Sequence, residues 1–199
     1  MSKTVDTPPG SSKIPKNIKS LILSGKKTKW TSIQFLSSFQ PQGQNDVVDE
    51  NPTFKSNMSR HPDFDRAIDR LKVHLMIRAG FAEAVDKFGK AITKEWFDDH
   101  IFEDDPRFSD CEVTGIIVTT KKDLTGFQII GISTTLDGQK VKFKSPPIST
   151  LKKAEGEGYN YPLIDLFDEH IDTLLLECKE YMAYKSPNSQ LRIDYNKAS

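Results

Sequence analysis

The stretch that decides the fold is residues 111–144, which run CEVTGIIVTTKKDLTGFQIIGISTTLDGQKVKFK. Its segments 113–120 and 127–134 are rich in β-branched residues, and turn-forming residues separate them. Asp137-Gly138 then predicts a tight hairpin, because glycine tolerates the positive φ of a type I′ turn. Lysines alternate with apolar residues over 140–144. The stretch therefore predicts a three-stranded antiparallel meander.

Two further strands are predicted ahead of the meander, at residues 21–23 and 30–39, with turn-forming residues between them. Residues 40–58 are polar and contain two prolines, Pro41 and Pro52, and one glycine, Gly43, which predicts a loop. These strands extend the predicted sheet.

Three helices are predicted around the meander. The first begins at His61-Pro62-Asp63 and ends near Gly80, since proline suits an early helical position and glycine a stop. The second covers residues 82–96, where apolar residues recur every fourth position. The longest runs from Pro162 to about Tyr184 with a broad apolar face. We therefore predict an α+β fold, in which a long C-terminal helix and a helical middle segment pack on an antiparallel sheet.

The predicted organisation is one domain with two appended segments. Residues 1–17 predict a disordered basic arm, residues 18–185 the α+β domain, and residues 186–199 a short tail. The 28 basic and 28 acidic residues give a net charge of zero, which excludes a uniformly basic coat. The N-terminal part of the chain is nevertheless basic, since residues 1–30 contain seven lysines and one acidic residue, Asp6.

The expected location is inside a cell. No run of apolar residues is long enough to span a bilayer, and no secretory signal precedes the predicted strands. Cys111 and Cys178 do not form a disulfide framework and are expected to be buried free thiols. We expect no membrane partner.

No catalytic motif stands out, so we expect a non-enzymatic protein without a cofactor. The four histidines, His61, His74, His100 and His170, show no zinc-binding spacing. The acidic segment 98–105 predicts a solvated loop, with a Mg²⁺ or Ca²⁺ site as an alternative. In that alternative the protein would be a metal-dependent enzyme.

A basic strand face is the strongest candidate for binding. Strand residues two apart share a face, so Lys140, Lys142 and Lys144 project together. Lys121 and Lys122 lie in a turn of the same meander, and we expect Phe127 near them. Rows of ammonium groups can follow a phosphate backbone, which predicts DNA contact, although alternating lysines also suit a sheet face exposed to water.

The tail contains the hexapeptide Gln190-Leu191-Arg192-Ile193-Asp194-Tyr195. It resembles the motif with which bacterial proteins bind the sliding clamp. The resemblance implies that Gln190 is a polar anchor and that Leu191, Ile193 and Tyr195 are apolar anchors. A final edge strand or a frayed tail is the alternative.

Several fold-level patterns together resemble a small uncharacterised family of tailed-phage and prophage proteins. They are His61-Pro62-Asp63, Val113-Thr114-Gly115-Ile116, Ser145-Pro146-Pro147-Ile148, Tyr161-Pro162-Leu163 and the Gln190-Leu191 tail. The resemblance implies a phage origin, a location in the cytoplasm of a bacterial host with the virion as an alternative, and a place in DNA replication or recombination. It transfers no catalytic residue. We therefore expect a phage accessory protein that acts near DNA and contacts a replication protein. The alternative is a virion structural or assembly protein whose arm and surfaces contact neighbouring subunits.

Overall fold

The structure is a computed structural model, and it describes most of the predicted domain. The described residues are 17–23, 31–39, 48–50, 53–99, 101–121, 124–135, 137–149 and 161–183. The predicted arm up to residue 16, His100, Lys122 and the C-terminal hexapeptide lie outside them.

Strands form most of the N-terminal and central parts of the described chain. They are β1 (Asn17–Leu23), β2 (Thr31–Phe39), β3 (Val48–Glu50), β4 (Thr53–Ser56), β5 (Cys111–Lys121), β6 (Leu124–Thr134), β7 (Lys140–Lys144) and β8 (Ile148–Ser149). The order β3-β2-β1-β5-β6-β7 runs across one sheet, with β4 also on β2 and β8 also on β6. Every pairing is antiparallel, so the meander and the α+β class are confirmed.

Two of these strands lie where the sequence predicts a loop. Both β3 and β4 fall within residues 40–58 and pair with successive parts of β2. Strand β4 is only four residues long, too short for its alternation to stand out from the polar residues around it. It is fixed by tertiary packing instead, since Phe54 contacts the ring of Tyr181.

Helix α1 (Pro62–Arg78) begins and ends as predicted. His61 is its N-cap and accepts a hydrogen bond from the backbone N–H of Asp63. Pro62 occupies the first turn, where no hydrogen-bond donor is lost. Beyond the helix, Gly80 has a φ of 79°, the left-handed conformation that glycine adopts without strain.

The predicted helix over residues 82–96 is wrong. An isolated bridge joins Val85 to Ala91, and Asp86 accepts hydrogen bonds from the N–H groups of Phe88 and Lys90. These bonds close a tight turn that leaves Phe88 75% exposed. The apolar residues that recur every fourth position therefore do not form a buried stripe on a helix. The only helix formed here is the short α2 (Lys94–Asp98), which buries Trp96 and Phe97.

The remaining described helices complete one layer. A 3-10 turn (Ile101–Asp104) and helix α3 (Pro106–Ser109) follow α2, and α4 (Ile164–Met182) is the long C-terminal helix. Helix α1 packs on β5 and β6, and α4 packs on α1. The buried inner face of the sheet presents a row of apolar residues, Phe54, Ile33, Leu21, Ile116 and Ile129.

Candidate functional site

The outer face of the sheet is the surface to which the sequence-predicted lysines belong. Side chains alternate between the two faces of a strand, so neighbours of the inner row point outward. One outer row consists of Lys55, Ser32, Ile22, Gly115, Ile130 and Lys144, from one edge of the sheet to the other. None of the described helices packs on this face, and Ile22 is 53% exposed.

Three of the five predicted lysines lie together on this face. Lys140, Lys142 and Lys144 pair with Thr134, Ile132 and Ile130 of β6 and are exposed. No ion pair involving any of the three is found among the described residues. They form an edge of positive charge along β7.

A shallow groove runs from this edge toward the middle of the outer face. Its volume is about 290 Å³, and Lys140 and Lys142 form one wall. Its floor is largely apolar, and Glu112 is an acidic group on its lining. The lining is completed by Ile22, Leu23, Thr114, Ile130 and Ile132. We call the three lysines and this lining the outer groove.

The structure does not bring Lys121 to the same place. Lys121 ends β5 opposite Leu124, whereas Lys144 lies opposite Ile130 on the same strand β6. Six residues of extended strand separate these positions by about 20 Å. The side chain of Lys121 and the whole of Lys122 lie outside the described part of the chain.

The expectation that Phe127 lies near the lysines is wrong. Phe127 pairs with Val118 and Ile148, is 5% exposed and contacts the ring of Phe167 from α4. Its position in the alternation places it on the inner face, where it belongs to the core. It is therefore not available for stacking on a ligand.

A second polar feature, buried between the two long helices, was not found by inspection of the sequence. Nε2 of His74 on α1 lies 2.9 Å from Nδ1 of His170 on α4, and Nδ1 of His74 lies 2.7 Å from the hydroxyl of Tyr161. Both histidines are buried, against aromatic rings that include Phe97 and Phe167. One indication of this feature is present in the sequence, because His74 is a polar residue beside the apolar stripe of its helix.

Burial sets the protonation state of this chain of groups. It lowers the pKa of His170 to about 4, with the nearby Arg70 guanidinium acting in the same direction. It also lowers the pKa of His74 well below 6.5 and raises the pKa of the Tyr161 hydroxyl. All three groups are therefore neutral near pH 7, and none offers a charged or solvent-exposed base.

A third cluster joins the start of α1 to α4. Ligand atoms of His61, Asp63 and Glu177 all lie within 4.8 Å of one another. His61 and Glu177 are buried, and Asp63 connects them to the surface. Sequence spacing links His61 to Asp63 but gives no indication of Glu177, because the contact depends on how the helices pack.

The acidic segment 98–105 is spread out by other interactions. Asp98 lies near Arg70, and buried Asp105 caps α3 and forms a bidentate pair with Arg107. The Arg107 guanidinium holds the pKa of Asp105 below its usual range. Among its described residues no three metal-ligating side chains converge, so its geometry does not favour the predicted Mg²⁺ or Ca²⁺ site.

Comparison with known proteins adds no family. No family model, no curated protein and no solved structure matches the chain. Within the described residues, no helix is both long enough and apolar enough to cross a membrane.

Proposed function

We propose that this chain is a non-enzymatic protein that binds nucleic acid through the outer groove. The observation that carries the proposal is the arrangement of Lys140, Lys142 and Lys144 on one exposed strand. They share a face that no described helix covers, and they have no ion-pair partner among the described residues. Lysines in such a row neutralise phosphates and release counterions.

The groove favours single-stranded nucleic acid over duplex. Ammonium groups along one wall suit a backbone that runs beside β7, while the apolar floor suits the flat faces of sugars and bases. No aromatic ring lines this groove, so strong stacking is absent and the expected affinity is modest. Binding is expected to tolerate changes of sequence and to depend strongly on salt.

The test is fluorescence anisotropy with labelled single-stranded and duplex oligonucleotides between about 50 and 200 mM salt. Three phosphate contacts predict a slope of log K against log salt of about −2 for a single strand. The variant Lys140→Gln/Lys142→Gln should reduce the magnitude of that slope by about 1.4, because two contacts are removed.

The matched control is Lys87→Gln/Lys90→Gln, which makes the same change in net charge on exposed residues away from the groove. It should leave both the affinity and the slope close to those of the wild type. Undetectable binding at about 50 mM salt, or equal effects of the two double variants, would show that the groove is not a nucleic-acid site.

An assembly role is the second candidate, and one observation favours it. Ile22 is 53% exposed on the same face, and an apolar patch on a sheet is a common contact between subunits. In that case light scattering without nucleic acid should show stable oligomers, and Ile22→Lys should dissociate them. Monomers at all concentrations would reject this candidate.

The tail and the phage context extend the first proposal. We infer that Gln190, Leu191, Ile193 and Tyr195 bind a bacterial sliding clamp, which would place the protein beside replicating DNA in a host cytoplasm. A peptide of residues 186–199 should bind a purified clamp, and Gln190→Ala should weaken that binding. A peptide that shows no saturable binding would remove the clamp from the proposal without affecting the groove.

A further inference from the structure

The cluster formed by His61, Asp63 and Glu177 brings together three side chains whose atoms are ordinary metal ligands. His61 is 6% exposed and Glu177 is 8% exposed, so the imidazole and one carboxyl group are largely removed from water. Their ligand atoms and that of Asp63 lie within 4.8 Å of one another. One imidazole and two carboxyl groups that converge in this way from two helices form a set of side chains of the kind that binds a divalent ion.

The contacts of one nitrogen make the same point. Nδ1 of His61 accepts a hydrogen bond from the backbone N–H of Asp63 at 3.3 Å, so its lone pair faces the helix start. The same atom lies 2.9 Å from Oδ2 of Asp63. A bare lone pair and a carboxylate oxygen repel at this distance, and either a hydrogen on Nδ1 or a metal ion between the two atoms removes that repulsion. A metal ion between the two atoms would take the lone pair of Nδ1 in place of the long 3.3 Å cap hydrogen bond and would be ligated by Oδ2 as well.

Asp63 is oriented by a neighbour that does not enter the cluster. Arg66, one turn along α1, donates to Oδ1 of Asp63 at 2.5 Å. That bond holds the carboxylate and leaves Oδ2 turned toward His61. Carboxylates that bind metals are commonly held in this way by a second hydrogen bond.

The distances fit ordinary metal coordination. Two ligands that are each about 2.1 Å from an ion lie about 3.4 Å apart at the tetrahedral angle that zinc prefers and about 3 Å apart at a right angle. The 2.9 Å between Nδ1 and Oδ2 is close to the right-angle separation, and the 4.8 Å span of the cluster requires only small movements. Asp63 has a side chain 37% exposed, so water can complete the coordination from its side.

We propose that His61, Asp63 and Glu177 form a binding site for a divalent transition-metal ion. One imidazole and two carboxylates favour Zn²⁺ and Mn²⁺ over Mg²⁺, because the nitrogen ligand suits the softer ions. The ion would tie the first turn of α1 to the fourth turn of α4 and would stabilise their packing. This site is independent of the outer groove.

Calorimetry on the full chain, freed of metal by a chelator, tests the proposal. Zn²⁺ should bind with a stoichiometry of one and raise the melting temperature, Mn²⁺ should bind more weakly, and Mg²⁺ weakest of all. Glu177→Gln keeps the shape of the buried side chain and should weaken Zn²⁺ binding by at least about tenfold. His61→Ser keeps an N-cap acceptor and should do the same.

Asp69→Asn is the matched control, because Asp69 pairs with Lys72 at the same spacing on α1 as Asp63 with Arg66. It should bind Zn²⁺ like the wild type. In addition, histidine NMR should show the ring signals of His61 moving on addition of Zn²⁺ while those of His74 and His170 stay.

Three outcomes would overturn the proposal. They are the absence of stoichiometric Zn²⁺ binding to the folded wild type, unchanged binding in a folded Glu177→Gln variant, and ring shifts at histidines other than His61. Circular dichroism tests whether each variant is folded. If His61→Ser does not fold, Zn²⁺ binding by Glu177→Gln alone decides the proposal.

Discussion

His74 and His170 join the two long helices through neutral rings. Nε2 of His74 lies 2.9 Å from Nδ1 of His170, and the two residues are 96 positions apart in the chain. Burial lowers the pKa of both rings, so the hydrogen bond between them forms with neither ring charged. Protonation of either ring would place a positive charge in the core between α1 and α4.

The first prediction is that stability falls as the pH falls from about 6.5 to 4. The unfolded chain binds protons at its histidines below the ordinary pKa of 6.5, whereas folded His170 binds one only near 4. Protonation therefore favours the unfolded state in this window, and the contribution is complete above 6.5. Urea unfolding measured at intervals between pH 7.5 and 4.5 should show a decreasing midpoint.

The control for that series replaces both rings. His74→Phe/His170→Phe keeps aromatic volume and removes the two groups, so its midpoint should change much less between pH 6.5 and 4.5. Asp105 and Glu169 have lowered pKa values and lose their contributions only at more acid pH. If the urea midpoint of the double variant fell with pH as steeply as that of the wild type, other groups would cause the loss of stability.

A second prediction concerns Gly115, at the contact of β1 with β5. A Cβ atom there would lie 2.3 Å from the backbone oxygen of Leu21, which cannot move without breaking the pairing. Gly115→Ala should reduce the free energy of unfolding by about 3 kcal/mol or more. At Gly126 the nearest atom is a side-chain oxygen at 3.3 Å, so Gly126→Ala should have a much smaller effect. Equal losses in chemical denaturation would contradict this account.

The third prediction concerns Asp105, which is buried and holds α3. Asp105→Ala removes the acceptor for the Arg107 backbone N–H and for its guanidinium. We expect a loss of about 1–3 kcal/mol in the free energy of unfolding. Asp104→Ala, at the exposed neighbouring residue, should change it by less than about 0.5 kcal/mol. Thermal unfolding of the two variants at one pH compares them directly.

The fourth prediction concerns the thiols, which the structure confirms as free and buried. Burial raises the pKa of Cys111 to about 11, and that of Cys178 is also raised. Because the thiolate is the reactive form, a disulfide reagent at pH 8 should modify the folded protein slowly and the urea-unfolded protein rapidly. Rapid labelling of Cys178 in the folded state would mean that the inner side of α4 opens readily.

The meander could be predicted because its signals are local. Strand alternation and the turn-forming Asp137-Gly138 act within a few residues. Gly138 adopts a φ of 79°, in a loop closed by the hydrogen bond from the Thr135 N–H to the Gln139 carbonyl rather than in the predicted two-residue turn. The start of α1 could be predicted for the same reason, since His61 and Pro62 act within one turn. The helix over residues 82–96 failed because periodicity alone does not show burial, and Phe88 turned out to be exposed.

For the predicted binding residues, too, local patterns could be predicted and tertiary contacts could not. The shared face of Lys140, Lys142 and Lys144 followed from strand alternation, which is local. The separation of Lys121 from them depends on the register of β5 and β7 on β6. The inward position of Phe127 depends on which face the helices cover.

The sequence by itself determined the class of fold, the meander, the start of α1 and the grouping of the three lysines. Each depends on interactions between residues close together in the chain. Tertiary structure alone decided the pairing of His74 with His170 and the approach of Glu177 to His61. Those contacts arise from the packing of α1 on α4, which depends on complementary buried surfaces that no local pattern in either helix specifies.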